Sequence, residues 1–300
     1  MRALVAFVIL AHAVDQAPIR RAPSFGVAVE AIHLNVTVID AANRLVTGLA
    51  ERDFAILEDG VIQEPLFFAS SDVPLSVSIL IDCSASMNDK LRFAQEAGVR
   101  FVRTLHRRDS AQILQFSDRI ITLQDFTADQ AALEAALRST RAGGATALYT
   151  ALYVTLKQLR DQGSRSDPRR RAVVLLSDGE DTASSVTDDQ VLELARRSDI
   201  AVYSISLRPE RFRQPDKAQG EAAYFLAVLT RDTGGEMFSP AAAGLDAVYA
   251  RIAEELRNQY TLGYLPTNPH KDGRWRRIVV RARDDELRVR HKLGYYAPRS

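Results

Sequence analysis

An α/β fold is predicted: a doubly wound, mostly parallel sheet flanked by helices, with a small antiparallel β module contributed by the N- and C-terminal segments. Three observations carry this reading. Residues 77–81 (Val-Ser-Ile-Leu-Ile) and 173–176 (Val-Val-Leu-Leu) are short apolar runs without clean alternation, the pattern of strands covered on both faces. From residue 74 to about 258 such runs alternate with stretches of helical periodicity, which is how a parallel sheet with crossover helices is written. On either side of that region the pattern changes to period two, as expected for strands with one wet face. With 300 residues, 46% of them hydrophobic, the chain can fill one sizeable α/β core and a smaller module.

Taken in order, the chain opens with Met1-Arg2, an apolar run over 3–10 and Ala11-His12-Ala13, a small-x-small site; this resembles a short secretory signal peptide, placed within residues 1–17. Period-two alternation over 25–39 (Val27, Val29, Leu34, Val36, Val38) predicts a half-buried strand. A turn at 40–43 should lead into a second strand around Leu45 and Val46, and Asp59-Gly60 between apolar runs marks a hairpin.

In the central region, Leu91, Ala94, Phe101, Val102 and Leu105 share one helical face. Residues 111–116 and 119–123 read as an edge hairpin, and 128–137 as a short helix. A further helix starting at Thr146 turns Leu148, Leu152, Leu156 and Leu159 inward. Strands at 173–176 and 200–207 bracket a helix at 188–197, and another helix around Leu226 and Leu229 stops at Gly234-Gly235. Met237-Phe238 reads as a short last strand. Leu245, Val248, Ile252 and Leu256 line a final helix, after which 260–264, 275–282 and 287–296 read as antiparallel strands. The divisions are therefore a signal segment at 1–17, a β segment at 25–72, the α/β domain at 74–258 and a β segment at 260–298 that packs with the first.

The chemistry concentrates at strand ends. Asp82-Cys83-Ser84-Ala85-Ser86 follows the first buried run and puts an acid and two hydroxyls at alternate positions. Gly143-Gly144-Ala145-Thr146 opens a helix with a third hydroxyl, and the second buried run ends in Asp178. Oxygen donors of this kind suit hard divalent cations. Each piece alone is short, and Ser86 could equally cap the helix that follows it. In order and together, Asp82-x-Ser84-x-Ser86, Thr146 and Asp178 resemble the metal-ion-dependent adhesion site of the von Willebrand factor type A family.

That resemblance, over about residues 74–258, implies a Rossmann-like A domain. It implies that Ser84, Ser86 and Thr146 are hydroxyl ligands, with Asp82 and Asp178 as the acids. It implies a divalent cation, magnesium first and calcium or manganese as alternatives, with an open position for an Asp or Glu carboxylate of a protein partner. In some members binding is coupled to movement of the last helix. Asp53-Phe54 and Glu58-Asp59-Gly60, with Leu262-Gly263-Tyr264 and Gly294-Tyr295-Tyr296, are similar to the flanks of a bacterial subfamily of secreted A-domain proteins. Ala85 departs from a common glycine, and Cys83 reads as an inert buried thiol in preference to a soft metal ligand. Glu180 and Asp181 add negative charge beside Asp178 or simply face solvent.

Composition narrows the remaining classes. With 39 basic and 38 acidic residues the formal net charge is +1, which offers no nucleic-acid footprint. No run approaches the roughly 18 apolar residues of a spanning helix. A single cysteine excludes an intramolecular disulfide. Metal-assisted hydrolysis lacks its usual companions, since G-x-S-x-G, G-x-x-x-x-G-K-[ST] and H-E-x-x-H are absent and the histidines lie far from the loops in sequence. The expected protein is a secreted or envelope binding module, not an enzyme, with a metal-stabilised structural scaffold as the rival reading.

Overall fold

The computed structural model of the chain describes residues 31–70, 73–162, 169–178, 180–207, 220–240 and 244–299. The expected signal segment and residues 25–30 of the first alternation lie outside the described residues. The rest of that alternation is β1 (Ile32–Ile39), which buries Leu34, Val36 and Val38. The turn at 40–43 forms, but the strand expected at Leu45 and Val46 does not. Leu45 makes one isolated bridge to Ile39. The Val46 amide donates to the Val38 carbonyl of β1 (2.9 Å), while the Tyr260 hydroxyl donates to the Val46 carbonyl (3.0 Å) and accepts from the Leu49 amide (3.1 Å). The Asp-Gly hairpin is present as β2 (Phe54–Glu58) and β3 (Val61–Gln63). Asp59 and Gly60 both have positive φ, as a two-residue type I′ turn requires. β4 (Pro65–Ala69) follows.

The central sheet is built on β5 (Leu75–Asp82), buried along its whole length. It is joined by β6 (Ser110–Phe116), β7 (Ile120–Thr127), β8 (Arg170–Ser177), β9 (Ile200–Ser206) and β10 (Met237–Phe238) in the order β10-β9-β8-β5-β6-β7. All neighbours run parallel except β6 and β7, the predicted edge hairpin. The helices are α1 (Leu91–Arg103), α2 (Gln130–Ser139), α3 (Leu148–Asp161), α4 (Asp188–Arg196), α5 (Glu221–Thr233) and α6 (Leu245–Asn258). The pleat of β5 sends Val77, Ile79 and Ile81 to one face, against Phe101 and Val102 of α1 and Ile252 of α6. Leu80 goes to the other, against Leu148, Leu152 and Leu156 of α3 and Leu229 of α5. Each such side chain contributes about 1.5–3 kcal/mol on burial, so a run apolar on both faces belongs at the centre. The chain leaves β5 toward β6 and later returns on its other side with β8. The carboxyl ends of β5 and β8 therefore flank the switch point where open α/β sheets bind ligands.

The tail forms β11 (Tyr260–Tyr264), β12 (Trp275–Ala282), β13 (Arg288–Arg290) and β14 (Gly294–Tyr296). Its strands do not make one sheet among themselves, as the alternation suggests. β11 and β13 flank β1 in the order β13-β1-β11-β4, and β12 joins β2 in the order β14-β12-β2-β3. The two four-stranded sheets enclose one core of Leu34, Val36, Ile56, Tyr260, Leu262 and Ile278. A three-stranded tail has no second layer with which to bury such a face. The flanking motifs meet in this sandwich. The buried Glu58 carboxylate accepts from Tyr264 (2.7 Å) and Tyr295 (2.9 Å), with the Arg276 guanidinium 3.5 Å away. Gly263 is required because the ring of Phe67 lies over it, 1.9 Å from where a Cβ would be.

α6 is tied to its surroundings at its carboxyl end. Arg170 is buried and donates to the carbonyls of Leu256, Arg257 and Gln259, the unsatisfied groups a helix end presents. Burial lowers its pKa to about 10. One turn earlier Glu255 is buried among Thr37 of β1, Tyr203 of β9 and Arg290 of β13. Among the described residues no helix is long and apolar enough to cross a membrane.

Candidate metal centre

β5 delivers Asp82 to the switch point as a carboxylate with no solvent exposure. Its orientation is fixed from two sides. The Ser84 amide donates to Oδ1 (2.8 Å), and the Ser177 hydroxyl, from the end of β8, donates to Oδ2 (2.6 Å). The chain then makes a single helical turn at Ala85–Met87, which leaves the Ser84 and Ser86 hydroxyls 3.1 Å apart, Ser84 buried and Ser86 exposed.

Backbone hydrogen bonds fasten the glycine loop to this turn. The Gly143 amide donates to the Cys83 carbonyl (2.7 Å), and the Ala85 amide donates to the Gly144 carbonyl (3.1 Å). Thr146 is thereby brought in at the end of that loop, and it is buried. Its backbone is held by the 178–185 loop: its amide donates to the Thr182 hydroxyl (3.0 Å), and its carbonyl accepts from the amides of Thr182 (2.8 Å) and Ala183 (3.0 Å). Because these bonds use the Thr146 backbone, α3 begins two residues later than predicted, at Leu148. Asp181, read from sequence as added negative charge or a solvated side chain, accepts from the Tyr149 amide (3.2 Å) and the Ser184 hydroxyl (2.6 Å). It serves the first turn of α3, whose amides have no intrahelical partner.

Asp178 leaves the end of β8 buried, with the Lys90 ammonium 3.5 Å from its Oδ2. Asp82 and Asp178 feel each other. The pKa of Asp82 is raised, chiefly by burial, against the hydrogen bonds from Ser177 and Ser84, with the charge of Asp178 adding to the rise. Asp82 thus stands beside the Ser84 hydroxyl, itself paired with Ser86, and Asp178 is near enough for its charge to act on Asp82. Among the described residues no three or more His, Cys, Asp and Glu side chains gather in one place. The donor set is instead two acids with hydroxyls, all hard oxygens, and it fits a hard divalent ion better than a soft one.

Three contributors escaped the sequence reading. Ser177 and Thr182 carry no motif of their own, and Lys90 is one charge on a polar loop. Their only signal is adjacency to Asp178 or to the Asp82 loop. Cys83, by contrast, turns into the hydrophobic core beneath the sheet. Burial, and after it the charge of Asp82, pushes its thiol up to about 12. At pH 8 the thiolate fraction is then on the order of 10⁻⁴. An alkylating reagent that labels an exposed cysteine within minutes is expected to leave Cys83 untouched in the folded protein and to modify it in denaturant. Labelling at equal rates in both would show that the thiol is accessible.

A family model described as the von Willebrand factor type A domain matches residues 77–180, from β5 to just past Asp178. No curated protein matches the chain. Among solved structures, a von Willebrand factor type A protein from Catenulispora acidiphila aligns with a TM-score of 0.52 at 13% identity, covering 89% of this chain and 74% of that one. The vWF domain of the type V pili tip protein Mfa5 from Porphyromonas gingivalis gives 0.49 at 16% identity, covering 62% of this chain and 95% of its own. The conserved hypothetical protein BatB from Bacteroides thetaiotaomicron gives 0.46 at 16% identity, with 61% and 97% covered. At such identities the first of these speaks to fold alone. Residues 77–180 therefore match the von Willebrand factor type A domain, and the fold around them is one that the Catenulispora acidiphila protein shares.

Proposed function

We propose that the protein is a metal-dependent protein-binding module of the secreted or envelope compartment, and not an enzyme. Asp82, Ser84, Ser86, Thr146 and Asp178 would hold a divalent cation, magnesium in the first place and calcium or manganese as alternatives. When bound, the ion supplies a coordination position that an Asp or Glu carboxylate of a partner protein fills. The observation that carries this reading is the buried Asp82 carboxylate. It is aimed by Ser84 and Ser177, raised in pKa by burial and by Asp178, and set beside two hydroxyls 3.1 Å apart. Few direct anions and several neutral oxygens leave a cation under-neutralised, so an outside carboxylate is a favourable ligand.

Capture from envelope or extracellular extract tests this. Wild-type protein is expected to retain a partner in magnesium and to release it on chelation. Asp178→Ala and Thr146→Ala should lose capture while their far-ultraviolet spectra and cooperative unfolding persist. Chelation that lowers the unfolding temperature without releasing the partner would favour the structural scaffold instead. Turnover of a phosphate or ester substrate in magnesium, lost in Asp82→Ala, would favour a hydrolase.

A further inference from the structure

A positive charge of the chain itself stands beside the acids. Lys90 lies four residues beyond Ser86, just ahead of the first turn of α1, and its Nζ is 3.5 Å from Asp178 Oδ2. The pair is lopsided: the Lys90 side chain is 33% exposed and that of Asp178 9%. At that distance and exposure the ammonium is loosely held, because an exposed lysine keeps much of its hydration and loses rotamer freedom when pinned. Asp178 is fixed at a strand end, whereas Lys90 has four rotatable carbons and can swing to solvent.

We infer that Lys90 is a built-in competitor for the cation site. Its ammonium neutralises Asp178 while no divalent ion is bound and is displaced when one binds, so it sets the affinity of the site. This rests on the metal-binding reading given above. Two like charges a few ångströms apart repel, and the repulsion is doubled for a divalent ion, so every binding event works against Lys90. In return the ammonium offsets the charge of Asp178, a buried carboxylate, at a distance of 3.5 Å. The site is thereby tuned to a weaker and more readily reversible ion than its two carboxylates alone would hold.

The experiment is a calorimetric magnesium titration of the full chain, repeated with manganese, on wild type, Lys90→Met and Lys90→Gln. Methionine keeps the length and apolar stem of lysine without its charge, and glutamine gives a second, polar replacement should the first perturb folding. Position 90 is not a ligand in the proposed set. The expected result is a dissociation constant about tenfold tighter in both variants, with a weaker dependence on added monovalent salt, since surface-pair electrostatics are screened. Equal or weaker affinity in the variants overturns the competitor role while leaving the metal site standing. Absence of any binding heat in wild type and variants alike removes the metal site itself, and the role of Lys90 with it.

Discussion

Replacing Glu255 by alanine is expected to cost about 3–5 kcal/mol of folding stability. The carboxylate is 1% exposed, and its Oε1 accepts from the Thr37 hydroxyl (3.1 Å), from the Tyr203 hydroxyl (2.6 Å) and from Arg290. Gln259 backs the arrangement, its amide donating to Thr37 and to Tyr203 (3.2 Å each). Burial works against the Arg290 guanidinium, but Glu255 first, then Tyr203 and Glu236, raise its pKa. Truncating Glu255 leaves two hydroxyls without their acceptor and takes from a largely buried cation one of its two acids. Breaking a buried pair on one side costs more than the intact pair ever contributed, because the remaining groups stay desolvated. Glu255→Gln keeps an acceptor and should cost about 1–2 kcal/mol. Urea unfolding read at the midpoint, with an unchanged slope, checks both, and a loss under about 1 kcal/mol for Glu255→Ala would mean that water replaces the lost partner.

The same residues explain why the junction was hidden in the sequence. Glu255 looks like one more charge on an amphipathic helix, and the residues it meets come from β1, β9 and β13, up to 218 positions away. Local signals were readable wherever one stretch of chain decides its own conformation. Asp59-Gly60 needs only two positive φ values to turn, and β5 needs only apolar side chains on both faces. Leu45 and Val46 failed because whether a short apolar pair becomes a strand depends on its partners: they touch β1 through one bridge and one amide, and the Val46 carbonyl goes to the hydroxyl of Tyr260. The tail pairs with the N-terminal strands as expected, but its division between two sheets was not legible. Period two shows that a strand has a wet face and a dry one, but not which sheet it enters, and β11 and β12 enter different ones.

At the candidate centre the three loops were visible because each follows a buried strand or precedes a helix, where the polar residues interrupt an apolar pattern. What was invisible is the support. Ser177 reaches Asp82 across 95 positions and Lys90 reaches Asp178 across 88, and neither side chain is unusual in its local setting. Glu58, Tyr264 and Tyr295 show the opposite case. Their motifs stood out in sequence, and what they share in space is a buried hydrogen-bonded cluster in the sandwich.

Asp82→Asn is expected to separate the fold from the ion more sharply than any other substitution. In the ion-free protein the raised pKa of Asp82 means that the folded state holds its proton more firmly than the unfolded chain, whose carboxyl stays near the ordinary 3.8. The stability this contributes is complete below that ordinary value and is lost as pH rises through the raised one, so at neutral pH the ionised Asp82 weighs against folding. Asparagine removes that cost. Its Oδ1 can still accept from the Ser84 amide while its Nδ2 donates to the Ser177 hydroxyl, so both existing contacts have a counterpart. The unfolding temperature without metal should therefore be held or raised at pH 7, and the difference from wild type should shrink as pH is lowered toward 4. Magnesium at about a thousandfold its dissociation constant should stabilise wild type by about 4 kcal/mol and Asp82→Asn not at all. Protons compete for the same carboxylate, so the wild-type response should also weaken on acidification. A magnesium response in Asp82→Asn equal to that of wild type would place the ion elsewhere, because no cation held at the end of β5 can be indifferent to the charge of the residue that β5 delivers there.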